Sequence, residues 1–326
     1  MSELHKFIFE GLPVRGALVR LTDAWQEVLR RRTANTQTGA YPPPVAELLG
    51  EMAAAAVLMQ SGIKFDGALV MQIFGDGPVK LAVAEVQSDL RLRATASVAG
   101  AVAPGVTLAQ LVNASGQGRC AITLDPRLRL PGQQPYQGVV PLAGPGGVAL
   151  PGVAEVIEQY MRQSEQLDTT LVLAADGTRA AGLLLQRLPV QGRHNLAQSH
   201  VAREEGVQDD AFERLSLLAR SLKREELLEL DANTVLHRLF WQEPLQRFEP
   251  LLGASGPRFA CSCSRERVAA MLKGLGRDEA EAIVREQGQV EVSCDFCGQQ
   301  ERFDAVDVGR LFTPAAQQPP QPGSVQ

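Results

Sequence analysis

Cys261-Ser262-Cys263 and Cys294-Asp295-Phe296-Cys297 place four of the chain's five cysteines within 37 residues. The fifth, Cys120, stands alone in the 260 residues before them. Zinc takes soft ligands at tetrahedral corners, and four thiolates leave no open position for a substrate. A C-x-x-C turn converges two sulfurs and lets the N–H groups of the turn donate to them. Gly298 follows at once, where the chain turns away most easily without a Cβ. Val290-Glu291-Val292 and Glu301-Arg302-Phe303 read as short strands, so Cys294 to Cys297 form the tip of a hairpin knuckle. In the C-x-C half, residues i and i+2 of an extended segment point to one face. The candidate ligands are therefore Cys261, Cys263, Cys294 and Cys297, and the expected ion is Zn2+.

The spacer of 30 residues is longer than the roughly 15–20 of a common zinc ribbon. It has structure of its own. Ser264 caps a helix through Arg267, Val268, Met271 and Leu272, Gly274-Leu275-Gly276 ends it, and Asp278 to Glu286 reads as a second helix. Four metal-free thiols in a charged segment would be a liability with no packing return. A secreted disulfide framework is also disfavoured. Met1 to Leu21 lacks a charged start followed by an apolar run, and sparse cysteine suits a reducing cytosol. A cytoplasmic location is expected. A closed site is either structural or redox-switched. Arg258, Arg265 and Arg267 flank the C-x-C and favour thiolate over thiol. Each cysteine pair is also close enough in sequence to close on itself.

Outward from the cysteines, composition narrows the classes. Apolar residues make up 45% of the 326, enough for a real core and more than one domain. A net charge of −5, a pI near 5.6 and only 5% aromatic residues argue against a nucleic-acid partner. No run of 18 apolar residues occurs, so no membrane span is expected. Residues 1–190 read as one mixed α/β body. Strands are predicted at Phe7 to Phe9, Ala17 to Leu21, Ala68 to Phe74, Val79 to Glu85, Arg91 to Ser97, Cys120 to Leu124 and Tyr136 to Val140, with a hairpin around Asp176-Gly177. Pro42-Pro43-Pro44 opens a helix reaching Met59, and Val153 to Ser164 has helical period. Antiparallel sheets with helices on one side give an α+β class.

Nothing here resembles a conventional active site, and the chain is read as a non-enzyme. His5, His194, His200 and His237 are scattered without metal or catalytic spacing, and Gly144-Pro145-Gly146-Gly147 lacks the Lys-Ser/Thr of a phosphate loop. Cys120 opens an apolar strand and reads as a buried, inert thiol. Residues 191–250 change character, with 14 charged residues among the 29 from Arg203 to Asp231. Leu215, Leu218, Leu222, Leu227, Leu236 and Phe240 still recur at helical spacing, so this linker forms amphipathic helices that depend on docking. Residues 251–312 form the small zinc-binding domain, and 313–326, rich in Pro and Gln, read as a disordered tail.

The string Cys261 to Val268, then Leu275-Gly276, then Val290 to Cys297, closely resembles the heat-shock protein 33 family of redox-regulated bacterial holdase chaperones. Pro42 to Gly62, Tyr136 to Val140 and Tyr160 to Leu167 also look like stretches of that family, and the resemblance spans roughly residues 5–312. Gly298 and Glu301 depart from its usual pattern, and neither is a ligand.

The resemblance implies a zinc-bound, reduced protein that is silent as a chaperone. It further implies that oxidation pairs Cys261–Cys263 and Cys294–Cys297 as disulfides, releases zinc, unfolds the zinc domain and destabilises the linker helices. Exposed apolar surface then holds unfolding client proteins without ATP, and the active form is a homodimer. Two rivals remain from the residues themselves. One is a constitutive zinc-ribbon interaction protein. The other is a thiol–disulfide oxidoreductase, which would usually carry one accessible C-x-x-C and not four mutually chelating thiols.

Overall fold

A computed structural model describes residues 1–35, 38–128, 132–189 and 210–313, and by its contacts the chain divides into two units, Met1–Ala260 and Cys261–Gln326. In the first, β1 (Glu3–Phe9) and β2 (Val14–Leu21) precede helices α1 (Asp23–Ala34) and α2 (Pro43–Gly62). Strands β3 (Gly67–Phe74), β4 (Val79–Gln87) and β5 (Arg91–Val98) form a meander. After the short α3 (Leu108–Val112) come β6 (Arg119–Pro126) and β7 (Tyr136–Pro141). Helix α4 (Val153–Tyr160) widens into a π-type turn, Met161–Glu165, before the hairpin of β8 (Thr169–Ala175) and β9 (Ala180–Arg187). Helices α5 (210–220), α6 (Arg224–Glu229) and α7 (Ala232–Phe240) lead to short strands β10 (Leu245–Arg247), β11 (Leu251–Leu252) and β12 (Arg258–Phe259).

These strands make two sheets. One runs β10-β1-β2-β9-β8 with β11 also on β1, and the other runs β12-β5-β4-β3-β6-β7. Pairing among the described residues is antiparallel except for β12 beside β5. The α+β class with antiparallel sheets is what the fold shows. Its helices, however, are not confined to one side. Helix α2 lies between the sheets, against β4 and β5 of one and β8 and β9 of the other. Its residues from Val45 to Gln60 are buried apart from Glu47 and Glu51. A helix apolar on every side belongs inside. Gly50 lets it approach the sheet, because a Cβ there would sit 2.5 Å from that of Ala175.

The first sheet is apolar on both faces. Leu4, Val19, Leu21 and Leu184 point into the core around α2. Phe7, Phe9, Leu18, Leu183 and Leu185 point the other way. On that second face lie α5, α6 and α7, through Phe212, Leu215, Leu222, Leu227, Leu236 and Phe240. Phe240 meets Phe9 edge to face at 5.1 Å between ring centroids. The charge-rich helices are fastened at their margins too: Arg220 bonds Glu158 at 2.9 Å, Arg224 meets Glu47 at 3.2 Å, and Arg179 donates to the Leu228 carbonyl at 2.8 Å. The linker's first part, residues 190–209, lies outside the described residues, as does the tail beyond Thr313.

The second unit is small. Ser264 caps α8 (Arg265–Leu275) by accepting from the Arg267 N–H, and α9 (Arg277–Gln287) follows across Gly276. Strands β13 (Val290–Ser293) and β14 (Gln300–Phe303) pair as a hairpin, and Asp304 caps the closing α10 (Ala305–Leu311). Leu272, Ala280, Val290, Phe303 and Val308 form its buried apolar cluster.

Candidate metal centre

The hairpin register sets Val290 opposite Phe303 and Ser293 opposite Gln300, so residues 294–299 form its tip. The Cys294 N–H donates to the Gln299 carbonyl at 2.9 Å, and the Gly298 N–H donates to the Cys294 carbonyl at 2.8 Å. Gly298 has φ 71, in the left-handed region that glycine enters without strain. This knuckle holds Cys294 and Cys297 toward Cys261 and Cys263, which sit in the extended run leading to the Ser264 cap.

All four sulfurs lie within 4.8 Å of one another. Cys261 and Cys294 are 3.6 Å apart, and Cys263 and Cys297 are 3.1 Å apart. A metal–sulfur bond of about 2.3 Å in a tetrahedron puts sulfurs roughly 3.8 Å apart, so this donor set fits one ion. Cys297 is buried and the other three are half-buried. Burial and the sulfurs of Cys297 and Cys261 push the Cys263 thiol up to about 12. The hydrogen bond to Cys261, with burial, raises Cys294 as well, against the pull of the Phe296 and Cys297 backbone N–H groups. Cys263 and Cys294 thus hold their protons unless a cation compensates the charge, and a divalent ion inverts that preference.

The flanking arginines act differently from their predicted role at the sulfurs. Arg258 turns to Asp89, at 3.0 Å. Arg265 bonds Asp307 at 2.7 Å and the Arg302 carbonyl at 2.7 Å, and stacks over Phe303 at 4.1 Å. It therefore ties the helix after the C-x-C to the hairpin that carries the C-x-x-C. Arg267 donates to the Ser262 hydroxyl at 2.5 Å. Spacing alone gives the arginines' proximity to the cysteines and not their direction.

Elsewhere the predicted assignments sort simply. Cys120 is fully buried in β6, and burial pushes its thiol up to about 12, so it offers no thiolate near neutrality. His5 is buried, with Arg247 3.2 Å from its Nδ1, while His194 and His200 lie outside the described residues. Among the described residues no helix is long and apolar enough to cross a membrane.

A double-sheet body around a buried helix, followed by a small four-cysteine unit, is a fold shared with a solved 33 kDa chaperonin. The crystal structure of that protein from Thermotoga maritima matches with a TM-score of 0.70 over 95% of this chain and 97% of that one, at 19% identity. In sequence, the chain matches the family described as Hsp33 protein over residues 2–304. It is 44% identical to the 33 kDa chaperonin of Chromobacterium violaceum over 311 residues, covering 95% of this chain and 94% of that one. Against the 33 kDa chaperonin of Methylobacillus flagellatus the identity is 39% over 315 residues, covering 96% and 94%. The chain belongs to the Hsp33 family, a family of chaperones and not of enzymes.

Proposed function

We propose that this chain is an oxidation-activated, ATP-independent holdase that works in the cytoplasm. The observation that carries the reading is the four-sulfur cluster set in a unit with very little core. Cys261, Cys263, Cys294 and Cys297 hold Zn2+, which when bound supplies the charge compensation and the cross-link between the C-x-C and the knuckle. Closed four-thiolate coordination suits zinc in a structural role.

The thiols are also the sensor. Each pair gives up two electrons to one peroxide: two thiols and H2O2 become a disulfide and two waters. The proposed pairs are Cys261–Cys263 and Cys294–Cys297. In the reduced cluster the short sulfur contacts run between the motifs, from Cys261 to Cys294 and from Cys263 to Cys297. Pairing within each motif removes both cross-links, and the unit has five buried apolar residues to fall back on. Its unfolding destabilises the docked helices α5 to α7. The face they leave, with Phe7, Phe9, Leu18, Leu183 and Leu185, is the apolar surface offered to unfolding client proteins. The active form is a homodimer.

The test follows aggregation of a chemically unfolded client, with metal release read by a chromogenic chelator. Reduced protein is expected to be silent. Peroxide is expected to release one zinc per chain and to switch suppression on. Equal suppression by reduced, metal-loaded protein would overturn the switch and favour a constitutive binding module. Steady turnover of a dithiol substrate would favour an oxidoreductase. Cys263→Ser is expected to lose metal and to uncouple suppression from peroxide.

A further inference from the structure

Three stretches carry the family resemblance outside the cysteines, residues 42–62, 136–140 and 160–167. Residues of 42–62 and 160–167 line one cavity where the two sheets part at the C-terminal end of α2, and 136–140 packs behind that lining, Gly138 against Tyr160 and Tyr136 on Glu165. Its walls are largely apolar, with Leu58, Met59, Leu69, Ile122 and Leu184 among them. It holds about 80 Å3, or about 540 Å3 when its open mouth is counted.

Two charged groups reach this apolar space. Arg15, on β2, is half-buried, and burial lowers its affinity for its proton. Its Nε donates to Gln186 Oε1 at 3.0 Å, its Nη1 donates to the Gly62 carbonyl at 2.8 Å, and its Nη2 also donates to Gln186 Oε1. A guanidinium has five N–H donors, so these three bonds leave two without an acceptor among the described residues. No carboxylate among the described residues pairs with it. A half-buried guanidinium with spare donors and no carboxylate bonded to it is a site that favours an anion.

The second charge is Glu165, which is held at the mouth. Its Oε1 accepts from the Tyr160 hydroxyl at 2.8 Å and the Tyr136 hydroxyl at 3.4 Å. Tyr160 is itself buried, and its ring fills the space where a Cβ on Gly138 would stand, 2.6 Å away. The backbone that presents Glu165 is irregular: the π-type turn Met161–Glu165 ends on Gln166 in the left-handed region at φ 55. Such insertions and left-handed non-glycine residues concentrate at functional sites.

The geometry points to this cavity as a binding site for a small monocarboxylate, its headgroup on the spare Arg15 donors and its short aliphatic tail among Leu58, Met59, Ile122 and Leu184. Glu165 at the rim selects against a second negative charge, so dicarboxylates are excluded. The site is independent of the redox reading, because it uses neither the cysteines nor the docked helices.

The test titrates the reduced full-length protein with pentanoate and follows the methyl resonances of Met59, Met161 and Ile122. Saturable shifts with a dissociation constant of about 1 mM or tighter are expected for so small a ligand. Pentylamine and glutarate are expected to leave those methyls unmoved, and 1-pentanol to bind at least about tenfold more weakly, the worth of a charge-assisted hydrogen bond. Arg15→Met is expected to lose at least the same factor, with Arg15→Lys retaining part of it. Unmoved methyls well above millimolar pentanoate overturn the proposal, as does equal binding of pentylamine or 1-pentanol. The ligand comparison runs on unaltered protein, so it supports or overturns the site even where an Arg15 variant fails to fold.

Discussion

The two units of this chain reach a folded state by different means. The first surrounds α2 with two sheets and covers the outer face of one sheet with three more helices, giving two large apolar clusters. The second orders residues 261–313 around five buried apolar side chains and four sulfurs. Ordering each residue costs about 1–2 kcal/mol of backbone entropy. Five side chains, at about 1.5–3 kcal/mol for each large one, cannot offset that over such a length. Small domains of this kind need a metal or disulfides. One part of the chain is stable through accumulated burial, whereas the other adds to a small apolar cluster only four clustered sulfurs that could hold a metal.

The largest expected effect tests that contrast directly. Stripping metal from the reduced protein with a thiol-competitive chelator should unfold residues 261–313 and leave the sheets around α2 protected, as read by hydrogen exchange resolved along the chain. Structural zinc sites carry about 10–16 kcal/mol of apparent binding energy in small peptides. Losing that much exceeds anything the small cluster can supply. Retained protection in α8, α9 and the β13–β14 hairpin after complete metal removal would break the comparison.

The same contrast explains what could be read from the sequence. The four-cysteine cluster is legible because its geometry is local: two sulfurs per motif, a cap at Ser264 that accepts from the N–H three residues on, and a turn released by Gly298. Strands β3, β4 and β5 are legible from alternation and from Gly75-Asp76-Gly77-Pro78. Helix α1 is not, since Asp23–Ala34 is strongly charged and its burial rests on Ala24, Trp25 and Val28. Strands β10, β11 and β12 have two or three residues each, too few for a period, and pair with β1 and β5 far back in the chain. The position of α2 between two sheets follows from its apolar circumference, which a search for one-sided amphipathicity passes over. The aim of Arg265 at Asp307 depends on a tertiary contact that no spacing announces.

Within the first unit, the covering helices α5 to α7 carry one side of the second apolar cluster. Leu215 on α5 is fully buried in the outer cluster. Leu215→Ala is expected to weaken docking by about 2–5 kcal/mol, seen as faster hydrogen exchange across α5 to α7 with little change around α2. Under the proposed function it also raises client holding without oxidant. Loss of protection spread evenly through both clusters would instead make the covering helices part of the main core. A smaller effect concerns Glu51 of α2. Burial, then the nearby Glu47, raises its pKa to about 7, and Arg224 opposes them. Native Glu51 therefore keeps its proton up to about pH 7, while in the unfolded chain it releases it from its ordinary value of 4.5. Between those values the native state binds more protons, so stability falls as pH rises. At about 1.36 kcal/mol per pH unit the loss is at most about 3 kcal/mol. Glu51→Gln should flatten that slope in denaturant midpoints measured across the window, and an unchanged slope would remove Glu51 as its source.

The smallest effect separates docking from local helix stability. Asp231 caps α7, its carboxylate accepting from the Asn233 and Thr234 N–H groups at 3.0 and 3.1 Å and from the Thr234 hydroxyl at 2.6 Å. These bonds hold its carboxyl below the usual carboxylate range, the Thr234 hydroxyl most of all. Asp231→Ala is expected to remove the cap and to raise exchange rates only in the first turn of α7. Because α7 also buries Val235, Leu236, Leu239 and Phe240, the helix should stay docked. Should the cap variant release α5 and α6 as well, the three helices dock as one cooperative element, and a local change at any of them could reach the whole covered face.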